Sequence, residues 1–166
     1  MVLKTKKLVT AALFAAIICA VTFFPKVPSV NGYIHLGDAV ILMAAFIMGP
    51  LYGGAAAAIG SALADLISGY VIFVPGTFVI KFLTAAVAAL VFAGLKKTAP
   101  KLGFLNYILA GIVGEAIMVL GYFAYEAAIY GVAGSAAGIV GNLCQAAAGI
   151  IVSTLIMITV KNIKKA

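Results

Sequence analysis

Arginine is absent from this chain, histidine occurs once, and only four acids stand against eleven lysines. Charged residues make up 9% of the sequence and hydrophobic ones 66%. That excludes an ordinary soluble domain, where apolar usage is about half. Cysteine is nearly as rare. Cys19 and Cys144 lie far apart in apolar runs, without CxxC spacing, and read as small buried residues. With His35 alone in the sequence there is no cluster of metal ligands, so neither a metal site nor another cofactor is expected. No GxxxxGK[ST] stretch is present, which excludes ATP hydrolysis by a phosphate loop. Ser61 and Asp65, at i and i+4, suit packing and a hydrogen bond better than a nucleophile–base pair, so the chain is not expected to be an enzyme.

What the chain does have is long apolar runs bounded by Gly, Pro or Lys. They fall at 8–24, 37–48, 51–68, 76–95, 105–129 and 134–160. A spanning helix takes about 20 residues. The pattern therefore predicts an all-α membrane protein, a bundle of six transmembrane helices forming a single domain over 1–166. Lys4, Lys6 and Lys7 precede the first run, Lys96, Lys97 and Lys101 lie between the fourth and fifth, and Lys161, Lys164 and Lys165 follow the sixth. Six spans put all three groups on one side, which lysine enrichment marks as cytoplasmic. Both termini are thus expected in the cytoplasm of a multi-pass cell-membrane protein. The net charge of +7 reads as topology and not as a nucleic-acid surface. The basic, then apolar, start could pass for a signal peptide, but its length and the lack of a small-x-small cleavage site favour a retained first span. The connections at 24–37, 69–75 and 130–134 then face outwards, and their Pro, Gly and Tyr content reads as structured lids.

Against this apolar background the stretch GYIHLGDAVILM stands out, with His35 and Asp38 three residues apart at the mouth of the second run. Counting at about 1.5 Å per residue puts Asp65, Lys81 and Glu126 in the same outer half, with Glu115 near the midplane. Ionisable groups are costly in hydrocarbon and usually face a wet cavity or one another. Glu115, Tyr122 and Glu126 share one stripe of the fifth run, and Asn142, Gln145 and Gly149 share one of the sixth. This convergence predicts a single pocket open to the outside. Its candidate substrate-binding residues are His35, Asp38, Tyr70, Lys81, Tyr122, Glu126, Asn142 and Gln145. Simpler roles stand beside that one. Asp65 and Lys81 can neutralise each other, Asp38 can be the first-turn acid of its helix, the amides can hold helices together, and the tyrosines can form an interfacial belt. On the first run, Ala11, Ala12, Ala15, Ala16 and Ala20 form overlapping small-xxx-small pairs, suited to packing inside the bundle or against a partner.

Four motifs in order, HLGDA at 35–39, the GP-L-Y-GG turn at 49–54, IGSALADLISGY at 59–70 and PGTFVIK at 75–81, resemble the substrate-binding membrane subunit (S component) of energy-coupling factor (ECF) vitamin transporters. The size and six-run layout extend the resemblance along the whole chain. It implies a six-helix bundle that captures a vitamin or vitamin precursor near the outer surface under a lid made by the first loop. It also implies two kinds of partner, a membrane coupling protein (T component) and two ABC-type ATPases. Ala12 and Ala16, or Ala11 and Ala15, match the docking motif of the first span. The motifs look closest to carriers of hydroxymethylpyrimidine or pyridoxine, with riboflavin next. Asn142 and Gln145 would read ring nitrogens or hydroxyls, and Glu126 an exocyclic amine or hydroxymethyl group. The alternative is a self-sufficient small transporter, proton-coupled through Glu115.

Overall fold

The computed structural model describes residues 2–163; Lys164 and Lys165, part of the lysine pattern, lie outside the described residues. Helix α1 (Val2–Phe23) leads into a short antiparallel hairpin, β1 (Lys26–Pro28) and β2 (Tyr33–His35). Helix α2 (Gly37–Ile67), a 3-10 turn (Val71–Phe73) and helix α3 (Val74–Thr98) follow. A second 3-10 turn (Pro100–Leu102) precedes α4 (Leu105–Ile163). Among the described residues four helices are long and apolar enough to cross a membrane.

Two of them are too long for one crossing. The 59 residues of α4 would run about 90 Å if straight, against a hydrocarbon core of about 30 Å. Both α2 and α4 are broken at a glycine: Gly49 (φ 79, ψ −177) and Gly131 (φ 77, ψ 164). A side chain is barely tolerated in that backbone region, and Pro50 follows the first break. Each break folds its helix back on itself. A Cβ added at Gly53 would stand 2.8 Å from the Ala44 carbonyl oxygen, and the Ser135 hydroxyl donates to the Phe123 carbonyl at 2.6 Å. The reversals fall where the apolar runs were expected to end, at 48–51 and 130–134.

The core is built from small residues. Ile18, Ile41, Leu42, Ala44, Ala57, Ala85 and Ala88 are sealed inside. Glycine brings the backbones close: a Cβ at Gly60 would stand 2.5 Å from the Ala15 carbonyl oxygen, and one at Gly114 2.8 Å from the Ala88 Cβ. Small residues at helix contacts are the usual means of association where burial of apolar surface offers no drive. The outer face is apolar instead, with Leu8, Leu13, Ile47, Leu90, Leu120, Val140 and Ile151 all exposed.

One expectation changes here. Cys144 is exposed and Cys19 half-buried, both free thiols; on a lipid-facing helix an apolar run does not separate inside from outside. Of the alanines on α1, Ala15 is buried and Ala11 packs against the core, whereas Ala12 and Ala16 are exposed.

The bundle has two unlike ends. At one, the β hairpin meets the 68–70 turn and the Gly131 reversal: Lys26 Nζ donates to Ser68 Oγ at 3.0 Å and Asn31 Nδ2 to the Gly134 carbonyl at 2.9 Å. At the other, Lys7 lies over the Tyr52 ring at 5.8 Å, Phe46 packs on Tyr107, and Lys96 and Lys161 share one cavity wall.

Candidate functional site

The hairpin covers a polar cavity of about 60 Å³. Its roof is Ser29, Asn31, Gly32, Tyr33, Ile34 and His35; its walls are Asp65, Tyr70, Phe73, Thr77, Tyr122, Glu126, Gly138, Asn142 and Gln145. The roof is pinned at three points. Asn31 Nδ2 donates to Glu126 Oε2 at 2.6 Å, the Tyr33 hydroxyl to Asp65 Oδ1 at 2.8 Å, and the His35 amide to Gln145 Oε1 at 3.1 Å. The register that allows this pairs Lys26 with His35 and Pro28 with Tyr33. The turn between spans residues 29–32 and is closed by the Ser29 amide, which donates to the Gly32 carbonyl at 2.9 Å.

Asp65 accepts a second hydrogen bond, from the Thr77 hydroxyl at 2.5 Å, and Thr77 also lies 2.9 Å from the Tyr122 hydroxyl. The carboxylate is thus satisfied by hydroxyls and, among the described residues, has no ion-pair partner. Lys81 instead pairs with Asp38, Nζ to Oδ1 at 2.5 Å, and lies 5.3 Å from the centre of the Tyr122 ring. The Asp65–Lys81 neutralisation that the sequence left open as a simpler role is replaced by Asp38–Lys81. Two acids in reach of one lysine cannot be told apart by depth alone; here Asp38, in the first turn of α2, points into the bundle. Gln145 Nε2 donates to Asp38 Oδ2 at 2.6 Å, so a single amide joins the roof to the buried ion pair.

Two groups of the roof are electrostatically tuned. Burial lowers the His35 imidazole to about 4, with the Lys81 ammonium lowering it further and the Asp38 carboxylate partly opposing. The ring is neutral, and its Nδ1 accepts from the Gly37 amide at 3.0 Å, which leaves the proton on Nε2. Burial, then the Asp65 charge, pushes the Tyr33 hydroxyl far above its ordinary range. It therefore stays a donor at any physiological pH.

Of the eight candidate residues, six line the cavity: His35, Tyr70, Tyr122, Glu126, Asn142 and Gln145. Asp38 and Lys81 do not; at 0% and 1% exposure they form a sealed pair beneath it. Asn142 makes no hydrogen bond to a protein group among the described residues, so its amide is unengaged beside the cavity. Glu126 keeps one carboxylate oxygen clear of Asn31. Asn31, Tyr33 and Thr77 were not among the candidates, although all three contact an acid that the sequence had placed at this depth. Glu115 stands apart, buried with both carboxylate oxygens unpartnered and outside the cavity. The site holds donors, acceptors and ring faces, which is a recognition surface.

A family model for the ECF-type riboflavin transporter S component matches residues 2–165. This chain belongs to that family. It is a family of transporter subunits, which implies vitamin capture for ECF-mediated import. An uncharacterised protein of Pyrococcus woesei is 35% identical over 126 residues, covering 76% of this chain and 80% of its own length. A solved structure, the S component of a bacterial ECF transporter, superposes with a TM-score of 0.72 at 24% identity, over 98% of this chain and 99% of that one. The fold is therefore that of an S component, and the four apolar helices belong to a membrane protein of that class.

Proposed function

We propose that this S component captures a single-ring vitamin or vitamin precursor, hydroxymethylpyrimidine or pyridoxine, from outside the cell. It hands its cargo to an ECF module made of a T component and two ABC-type ATPases. The carrying observation is the hairpin-roofed cavity, where two carboxylates and an unengaged amide face ring-bearing walls. A heterocycle with exocyclic hydroxyl or amine donors satisfies Glu126 and Asn142 while stacking on Tyr70, Phe73 or Tyr122. With its roof down the cavity has space for about four waters, whereas ligand pockets run to about 300 Å³ or more. Entry then needs the hairpin to lift, which breaks its polar ties to Ser68, Glu126, Gly134, Asp65 and Gln145. The reversals at Gly49 and Gly131 support six spans, and the lysines at the far end support cytoplasmic termini.

Riboflavin is the second reading, favoured by the family model; a three-ring flavin would require the roof to move further. Native mass spectrometry of the purified protein, followed by titration with pyrimidine, pyridoxine-like and flavin vitamins, separates the two. Tight retention of one single-ring compound, weakened by Asn142→Ala, is the expected result. Retention of riboflavin alone would transfer the proposal to the flavin. Substrate accumulation by the lone chain in proteoliposomes, abolished by Glu115→Gln, would replace both with proton-coupled transport.

A further inference from the structure

At the lysine-bearing end a second cavity, of about 480 Å³, opens between the end of α3, the turn after it and both ends of α4. Lys96 and Lys161 line it together with Asn106, Tyr107, Met157 and Val160. The vitamin site plays no part in any of this.

Three observations define what would fit. First, among the described residues the charge is uncompensated. The chain has four acids: Asp38, Asp65 and Glu126 belong to the hairpin end, and Glu115 lies about 13 Å along α4 from Asn106. No carboxylate lines the cavity, and among the described residues the ion pair is Lys81–Asp38. Second, Asn106 is 3% exposed. Its Nδ2 donates to the Ala99 carbonyl at 3.3 Å, but its Oδ1 is buried without a donor. A buried acceptor left unpaired is unfavourable, so an occupant carrying a hydroxyl completes it. Third, the rest of the wall is apolar and ring-lined, with Tyr107 stacked on Phe92 at 4.7 Å.

We propose that this cavity holds the headgroup of an anionic, hydroxyl-bearing phospholipid of the phosphatidylglycerol type. The phosphodiester sits between Lys96 and Lys161, a glycerol hydroxyl donates to Asn106 Oδ1, and the glycerol ester region lies on Met157 and Val160. A basic pocket between spans, at the level where the helices end, is the usual setting for such a headgroup. An amine-bearing headgroup would meet two lysines, and a phosphate without hydroxyls would leave Asn106 unpaired.

The test uses the full chain in zwitterionic micelles doped with phosphatidylglycerol, or with phosphatidylmethanol, which keeps the charge and lacks the hydroxyls. Native mass spectrometry reads the lipid retained, and vitamin titration at the other end checks that each variant is folded. Retention of phosphatidylglycerol above phosphatidylmethanol is expected. The double variant Lys96→Gln/Lys161→Gln should weaken it about 30-fold, since each lysine near a lipid phosphate contributes about one factor of five. Asn106→Leu should erase the preference between the two lipids. Equal retention by wild type and double variant would overturn the site, and equal retention of the two lipids by wild type would overturn the glycerol headgroup. Saturation by soluble glycerol 1-phosphate in undoped micelles would replace the lipid with a free phosphoester.

Discussion

Gly138 has no side chain, and the space a Cβ would take is already held by Glu126 Oε2, at 2.6 Å, and Asn31 Nδ2, at 3.2 Å. Both are ends of flexible groups, so Gly138→Ala is expected to fold while pushing Glu126 off Asn31. Loss of one charge-assisted hydrogen bond predicts vitamin binding weakened about tenfold or more, read by titration calorimetry. Asp38 behaves differently, because it touches Lys81 and Gln145 and no cavity. Asp38→Asn strands a buried ammonium and should destabilise the protein by about 3–5 kcal/mol, seen as a lowered thermal midpoint in detergent. Asp38→Asn/Lys81→Met removes the stranded charge as well and should recover most of that loss. A double variant no more stable than the single one would refute the ion-pair account. The acids and amides of this site were legible because ionisable groups are conspicuous in an apolar chain. Their pairing was not: Asp38 and Asp65 share the depth of Lys81, and only side-chain direction decides between them. Asn31 was illegible for another reason, since a polar residue in a loop has no periodic background to stand out from.

Helix breaks and hairpins belong to a larger scale, where the sequence is uneven evidence. Gly49-Pro50 and the Gly131 reversal could be read, because a glycine and a change of run coincide at each. The hairpin could not be read as strands, since three residues are too few to show alternation and its four-residue loop lacks a two-residue turn signature. Gly131→Ala forces a side chain into backbone that only glycine adopts easily and should cost about 1–3 kcal/mol. The Gly134 carbonyl that receives Asn31 lies three residues on, so weaker vitamin binding should accompany the lower thermal midpoint. The hairpin also carries a pH dependence through His35. Its imidazole is held near 4 in the folded protein, against about 6.5 when free. The folded state therefore favours the neutral ring, a contribution complete above pH 6.5 and lost as pH falls from 6.5 towards 4. The slope reaches about 1.4 kcal/mol per pH unit. The comparison is with His35→Asn, whose thermal midpoint should depend less on pH over that window. Identical pH profiles would show that another group carries the dependence.

A transport subunit must hold its own fold and also present a face to its partner, and we propose that α1 divides these tasks by residue. Ala15 is buried where Gly60 approaches its carbonyl oxygen, and Ala11 lies against the same core. Ala12 and Ala16, one helical turn apart, are exposed together with Ala20, a smooth strip able to receive another helix closely. The sequence offered both pairs as docking positions, and spacing alone could not choose, since each is a small-xxx-small pair. Because they are the exposed pair, Ala12 and Ala16 are the docking positions we propose. Substituting Ala15→Leu overfills a packed contact and should lower stability by about 1–3 kcal/mol, with vitamin binding impaired in proportion to the unfolded fraction. Ala12→Leu and Ala16→Leu should leave the thermal midpoint and vitamin affinity of the isolated subunit unchanged, while cutting uptake by cells that carry the whole ECF module. Co-purification of the T component with each variant locates the defect, because loss of uptake with the complex intact would place the fault after docking. If Ala12→Leu/Ala16→Leu imported vitamin at the wild-type rate, the docking face would have to lie elsewhere on the bundle.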